Sequence, residues 1–291
     1  LSFCFKSNNW NIGAEGQLYA GAIAGVWVAL TFDGFPTLIL IPAMLAMSCV
    51  AGAAWALIPT LMRLRLGIGE VITTILMNFV GIYTAAWMVH GPLQEERGIF
   101  PQTDRIVEAA RLPSFIPGTR LHLGFALGLV IAIGLAVLFR RTRFGFQIRA
   151  VGASPEAAAV AGRIEPSRVI FITFLASGAI AGLAGAVEVS GLTYALYENL
   201  SEGWGYTAIA VALLAGKRCV ALFRRPPVIG MFVGLLVGLV APLQEALFAP
   251  GAPLLPIGTE LFTGGTTGCQ AANERVPCPG GGLIRRAAPM P

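Results

Sequence analysis

Residues 140–168 read RRTRFGFQIRAVGASPEAAAVAGRIEPSR, a polar stretch that separates two long apolar segments. It holds six arginines and only two glutamates, whereas the flanking segments 121–139 and 169–189 carry almost no charge. Each of these segments is long enough to cross a bilayer as a helix. Because short loops this basic stay on the cytoplasmic side of a membrane, the sequence predicts a polytopic, all-α membrane protein with 140–168 inside the cell.

The middle of this loop carries a signal for the start of a helix. Ser154 suits the N-cap position, Pro155 the first helical position, and Glu156 the first turn, where the helix dipole favours an anion. The alanine-rich residues 157–161 favour helix as well. We therefore predict a short helix at the cytoplasmic surface.

The composition excludes several classes of protein. Of the 291 residues, 56% are hydrophobic and only 12% charged, which is far from the composition of a soluble domain. The net charge of +5 comes from basic residues between apolar segments, so membrane lipid rather than nucleic acid is the expected surrounding. None of the five cysteines forms a CxxC pair, and only His90 and His122 supply imidazole, so neither a metal site nor a cofactor is predicted.

Two enzyme classes are excluded by their missing motifs. Ser177 lacks the GxSxG context of a hydrolase nucleophile, and no histidine lies inside an apolar segment. Gly216 and Lys217 are followed by Arg218 rather than Ser or Thr, so there is no phosphate-binding loop of the Walker A type. We expect a protein that is not an enzyme and does not bind ATP by that route.

About seven apolar segments are visible, at 17–32, 38–59, 70–89, 121–139, 169–189, 204–216 and 228–248. The sixth is too short to cross a bilayer alone, so we predict half of a broken helix or a re-entrant element. The chain opens on LSFCF without Met or a signal peptide, which favours a missing segment at the N-terminus. Residues 1–249 form the predicted transmembrane domain, and the Pro- and Gly-rich residues 250–291 an irregular or disordered tail.

The charge distribution gives a consistent orientation. If 140–168 lies inside, alternation of the segments places 61–69 and 217–225 inside too. These three loops carry six, two and four basic residues, against four in the loop 91–120 that remains outside. The extracytoplasmic loop 91–120 balances its arginines with acids and is a predicted docking surface.

Polar residues within apolar segments are candidates for function, because each costs a few kcal/mol at mid-depth. Two groups stand out: Asn11, Glu15 and Gln17, and then Glu70, Thr74 and Asn78. The second group follows i, i+4, i+8 spacing and shares one helix face. The first group is explained equally well as a helix cap at the cytoplasmic edge of the membrane. The second is explained as a row of hydrogen bonds between two packed helices. An aromatic belt at the membrane–water interface explains five aromatic residues near the segment ends, namely Trp10, Trp55, Trp87, Trp204 and Tyr206.

The pentapeptide Gly-Ala-Ile-Ala-Gly occurs twice, at 21–25 and at 178–182. A duplicated architecture with parallel halves produces such a repeat. Faces of small residues, which let helices approach closely in lipid, produce it too. Both interpretations stay open.

Five motifs in order resemble one family of transport proteins. They are NIGAEGQ (11–17), GEVITTILMNF (69–79), TRFGFQIRAVGASPEAAAVAGR (142–163), SGAIAGLAGAVEVSG (177–191) and GYTAIAVALLAG (205–216). Together they look like the permease subunit of ABC importers in the branched-chain amino acid and simple-sugar permease superfamily, nearest to its nucleoside and simple-sugar branch. The resemblance implies a multi-pass protein of the cell (plasma or inner) membrane, a second permease subunit, a cytoplasmic ATP-binding-cassette ATPase and an extracytoplasmic substrate-binding protein.

The resemblance also implies roles for particular residues. Residues 150–162 match the coupling segment on which the ATPase docks, with Arg149, Gly152, Pro155, Glu156 and Ala158 as its expected members. The six polar residues named above match the transmembrane core, where we expect them to line or shape the path of a nucleoside or simple sugar. A branched-chain amino acid permease of the same superfamily is one alternative. A secondary carrier driven by protons through Glu15 or Glu70 is the other.

Overall fold

The structure is a computed structural model that describes residues 1–115, 122–162 and 164–214. Its α-helices are α1 (Ser2–Lys6), α2 (Ala14–Thr31), α3 (Thr37–Leu66), α4 (Glu70–His90), α5 (Leu123–Arg141), α6 (Arg143–Ala153), α7 (Pro155–Gly162), α8 (Pro166–Glu188) and α9 (Trp204–Leu214). Within the described ranges, a 3-10 turn lies at Glu108–Ala110. The described part contains no strand, only the isolated bridges Gln102–Tyr197 and Ser114–His122, so the all-α prediction is confirmed.

Four described helices are long and apolar enough to cross a membrane: α3, α4, α5, and α8 with the π-turn that continues it to Thr193. They are 19 to 30 residues long, about 28–45 Å at the α-helical rise, and the hydrocarbon core is about 30 Å thick. These helices confirm four of the predicted segments. The seventh segment, the loop 217–225 and the tail 250–291 lie outside the described residues.

Glycines bring α2, α3 and α8 into backbone contact at the centre of the bundle. A Cβ atom added to Gly21 would lie closer than 3.0 Å to the carbonyl oxygen of Gly182, and one on Gly182 equally close to that of Ser48. Gly52 and Gly178 meet in the same way. The two pentapeptides therefore pack on one another, which supports the small-residue interpretation.

The contacts also give the directions of the central helices. Asn11, Gly21 and Gly25 of the α2 region meet Ser177, Gly182 and Ala186 in the same order, so α2 and α8 run parallel. On α3 the order is reversed, because Ser48 lies near Gly182 and Ala56 near Gly178. This arrangement agrees with the topology that the basic loops predict.

The loop 140–168 is more ordered than the sequence predicts. The expected helix is present as α7, and Ser154 Oγ accepts a hydrogen bond from the backbone N–H of Ala157 at 3.3 Å. Residues 143–153, which we expected to be loop, form α6, with Thr142 Oγ1 accepting from Gly145 N at 3.0 Å. Gly145, Ile148 and Val151 are buried on one face of α6, a helical period that the many arginines conceal in the sequence.

The end of the bundle that contains α6 and α7, here called the α6–α7 end, has its own apolar cluster. Cys4, Phe139, Ile148, Ala158 and Phe174 are buried in it together, and so join α1, α5, α6, α7 and α8. The end of α3 reaches the same cluster through Leu64. Gly67 closes α3 in the left-handed region, with φ of 68° and its N–H on Arg63 O at 3.1 Å.

At the opposite end, the loop after α4 packs on the irregular chain that follows α8. Backbone N–H groups of Thr103, Ile106 and Leu112 donate to carbonyls of 190–196 at 2.9–3.0 Å. Further out, the carboxylate of Glu95 accepts from Gln102 Nε2 and from the N–H of Phe100, and these bonds hold its pKa below the usual range. This loop therefore has a defined structure over residues 95–112.

The short sixth segment is a separate helix. After Glu188 the chain widens into a π-turn at Val189–Thr193, reverses at Tyr194 with φ of 57°, and stays irregular until α9 begins at Trp204. Half of a broken helix and a re-entrant element, the two interpretations of 204–216, both require a break in the helix before it. Residues 194–203 form that break. Ser201 contacts Tyr19 and Gly205 contacts Glu15, so α9 runs antiparallel to α2.

Candidate functional site

The two groups of polar residues flagged in the sequence meet in one place, here called the polar cluster. Its members are Asn11, Glu15, Gln17, Glu70, Thr74 and Asn78. All except Glu70 are at most 2% exposed, and the side chain of Glu70 is 16% exposed. They lie around residues 8–13, which belong to no helix and lead into α2. The cluster therefore lies where backbone groups need partners from elsewhere.

Side chains of α4 supply several of those partners. Asn78 Oδ1 accepts from the N–H of Gly16 at 2.8 Å, and its Nδ2 donates to the carbonyl of Ile12 at 2.8 Å. The same amide donates to Tyr206 Oη at 3.3 Å. Thr74 Oγ1 accepts from the N–H of Ile12 at 3.3 Å. The polar stripe on α4 thus holds the start of α2 in place.

Asn11 and Gln17 form the second part of the cluster. Their side-chain amides bond to each other reciprocally at 3.1 and 3.2 Å, and Asn11 Oδ1 also accepts from the N–H of Gly13 at 3.0 Å. Asn11 Nδ2 reaches Ser177 Oγ on α8 at 3.0 Å. Ser177, rejected in the sequence as a nucleophile, has a structural partner instead.

Both carboxylates of the cluster are bonded. Glu15 Oε2 accepts from the N–H of Gly205, at 2.6 Å, in the first turn of α9, where the positive end of the helix dipole favours a negative charge. Glu70 forms an ion pair with Arg63, and its Oε1 accepts from the N–H of Trp10 at 3.3 Å. The cluster therefore links α2, α3, α4, α8 and α9. Contact of these six side chains with a solute stays a prediction.

The five coupling residues predicted near α7 have two kinds of surroundings. Arg149 Nη1 donates to the carbonyl of Phe139 at the end of α5, and Ala158 is buried in the apolar cluster. At Gly152 an added Cβ would lie closer than 3.0 Å to Lys6 O of α1. Pro155 and Glu156 are exposed. Three residues therefore attach the segment to the bundle, and two face outward.

Sequence reasoning missed one exposed apolar residue of α7. Val160 is 90% exposed and shares the surface of α7 with Ala157 and Ala159, next to Glu156. A valine in a surface run of alanines is the only sequence signal for this position. The exposed side of α7 thus combines one carboxylate with an apolar patch.

The aromatic-belt interpretation is wrong for Trp55 and for the start of α9. Trp55 lies well inside α3 and its Nε1 donates to Met77 O of α4 at 3.2 Å, while Tyr206 meets Asn78 in the polar cluster. His122 is the N-cap of α5, where Nδ1 accepts from Gly124 N at 3.1 Å. Among the described residues no three potential metal ligands converge.

The comparisons with known proteins agree on one family. A family model described as branched-chain amino acid transport system, permease component, matches residues 1–256. The glucose ABC transporter permease of Haloferax volcanii is 35% identical over 257 residues, which cover 85% of this chain and 66% of that protein. The guanosine ABC transporter permease of Bacillus subtilis is 35% identical over 244 residues, covering 82% and 68% of the two chains.

A nucleoside ABC transporter permease of Lactococcus lactis is 33% identical over 228 residues, covering 75% of this chain and 62% of its own. The chain spans about two thirds of the length of these relatives. No solved structure matches it at a significant level. The membrane-length helices and the match over residues 1–256 lead to one conclusion: this is an integral membrane protein that belongs to the family of permease components of branched-chain amino acid transport systems.

Proposed function

We propose that this chain is the transmembrane subunit of an ABC importer that moves a nucleoside or a simple sugar across the cell membrane. A separate cytoplasmic ATPase supplies the energy, a second permease subunit completes the path, and an extracytoplasmic binding protein delivers the solute. The names of the relatives, which specify glucose, guanosine and nucleosides, support this assignment. Residues 1–249 are the proposed transport domain and 91–120 its extracytoplasmic loop.

The observation that carries the proposal is the exposed side of α7 at the α6–α7 end of the bundle. Glu156 and Val160 project from a short helix whose opposite side, through Ala158, is buried against the bundle. A carboxylate beside a small apolar patch suits a protein partner, because such patches on a surface mark interaction sites. We assign this face to the ATPase.

A force on α7 has a physical route into the membrane. Gly152 touches the backbone of α1, and Cys4 of α1 donates to Thr173 O of α8 at 3.5 Å. Residues 8–13, which follow α1, are held by the polar cluster. Because these contacts involve closely packed backbone, a shift of α7 moves α1 and with it the start of α2.

The polar cluster has a role in the same proposal. Its buried, hydrogen-bonded side chains shape the transport path by fixing the break before α2 and the start of α9. They do not present charged groups to the solute. Pairing of Glu70 with Arg63 and bonding of Glu15 to Gly205 give both carboxylates a structural task. That task disfavours the alternative in which either residue carries protons.

The exposed side of α7 provides the test of the proposed function. We expect Glu156→Ala and Val160→Asp each to lower substrate-stimulated ATP turnover of the reconstituted complex at least about tenfold, which corresponds to about 1.4 kcal/mol of lost coupling energy. Both side chains are exposed, so the variants insert and fold normally. ATP turnover in proteoliposomes, with and without guanosine or glucose, measures the effect.

Asp33→Ala is the matched control, since Asp33 is an exposed carboxylate between α2 and α3, outside both proposed docking surfaces. Its ATP turnover stays at the wild-type level. Unchanged turnover in both α7 variants would contradict the docking assignment. Uptake that follows a pH gradient without ATP would favour the proton-coupled carrier, and uptake of leucine alone would favour the amino acid branch.

A further inference from the structure

The start of α9 lies deep in the membrane part of the bundle. Tyr206 accepts a hydrogen bond from Asn78, which is eight residues after the start of α4 and twelve before its end. At the α-helical rise these distances are about 12 and 18 Å. Just before α9, the N–H of Ser201 donates to Tyr19 Oη at 3.1 Å. Residues 201–206 therefore sit around the middle of the bilayer rather than at its surface.

At this depth the chain exposes polar and aromatic side chains. Glu202 and Thr207 are exposed, and Trp204 and Tyr206 are 45% and 40% exposed. Among the described residues neither ion pair includes Glu202. A carboxylate at mid-depth is strongly disfavoured against lipid and instead faces the bundle interior or a water-filled cavity.

The exposed side of α5 shows what a lipid-facing surface of this chain looks like. Between Phe125 and Val137 its large exposed residues are all apolar, namely Phe125, Leu129, Val130, Ile133 and Val137. The face at residues 202–207 differs from it in carrying one carboxylate and two hydroxyl groups. The contrast indicates that 202–207 meets water, not hydrocarbon.

We propose that Glu202, Trp204 and Tyr206 form a wall of the transport path that touches the solute, an inference that rests on the proposed function. Indole and phenol rings pack on the apolar faces of sugars and nucleobases. The Glu202 carboxylate accepts hydrogen bonds from hydroxyl or ring N–H groups. A neutral nucleoside or sugar fits this wall, whereas a nucleotide is repelled by the carboxylate.

Water access is the first test of the wall. In a cysteine-free background, we expect Glu202→Cys and Thr207→Cys to react with a charged thiol reagent in the reconstituted complex. Val130→Cys on α5 is the control and stays unlabelled, because that side chain faces lipid. Excess guanosine or glucose slows labelling at 202 at least about threefold. Labelling at 202 and 207 as low as at 130, or labelling that neither solute slows, would overturn the proposal.

Transport kinetics provide the second test. Trp204→Ala raises the KM for guanosine or glucose about tenfold, as expected for one lost stacking contact, while Trp204→Phe stays within about twofold. Equal KM values for Trp204→Ala and the wild type would overturn the contact with solute. If the Glu202→Cys complex is labelled at 202 but the wild-type complex moves neither solute with ATP, the proposed function fails while the water-facing wall stands.

Discussion

Gly182→Val will prevent α2, α3 and α8 from packing as they do in the native bundle. A Cβ atom at position 182 would lie closer than 3.0 Å to the backbone of both Ser48 and Gly52, and backbone atoms cannot move aside as a side chain can. Overpacking of this kind costs about 3 kcal/mol, the upper end of the usual range, because the clash is with backbone. A loss of that size lowers the thermal midpoint by about 6–12 °C, measured in detergent by intrinsic fluorescence.

Gly128→Val on α5 is the matched control for this prediction. Gly128 also lies inside a membrane-length helix, but an added Cβ there meets nothing within 4 Å. Both substitutions change helix propensity equally, so the difference between the two thermal midpoints measures the packing effect alone. Equal midpoints for the two variants would show that the central helices do not touch at Gly182.

The second large effect is expected for Asn78→Leu in the polar cluster. The leucine leaves the N–H of Gly16 and the carbonyl of Ile12 without their side-chain partners in a buried site. Each unsatisfied buried group costs about 1–3 kcal/mol, so the variant loses about 2–6 kcal/mol of stability. The thermal midpoint of the purified chain measures the loss.

Thr84→Val serves as the control for Asn78→Leu. Thr84 lies on the same helix, and its hydroxyl bonds only to Val80 O of its own helix on the exposed side. We expect its midpoint to stay within about 2 °C of the wild type. A similar small change in Asn78→Leu would mean that residues 12–16 find other partners, and that the cluster does not hold the start of α2.

The sequence predicts the long helices well because apolar length alone determines them. It also identifies all six residues of the polar cluster, since polar groups in apolar segments are costly. It does not predict that the groups of Asn11 and Asn78 form one site, because Asn78 reaches Ile12 and Gly16 only through tertiary packing between segments about 60 residues apart. The contact of Tyr206 with Asn78 is not predicted for the same reason.

Short surface elements are where the sequence is least informative. Helix α6 is missed because its arginines conceal the buried positions Ile148 and Val151. The exposed Val160 is missed because alanine and valine in a short helix give no indication of which side is covered. In the coupling segment, only the structure separates Ala158 and Gly152, which attach it, from Glu156, which faces out.

The glycine contacts among α2, α3 and α8 restrict how the molecule can change shape. Side chains at an ordinary helix interface can switch rotamers and let the helices slide, but here main chain rests directly on main chain. Around Gly21, Gly52 and Gly182 these three helices therefore keep their relative positions during any transport cycle. Helices α4 and α9 also meet α2 main chain to main chain, through Gly81 on Gly16 and Gly205 on Glu15. Displacement is therefore left to the helices whose described glycines make no such contact with α2, α3 or α8, namely α5, α6 and α7.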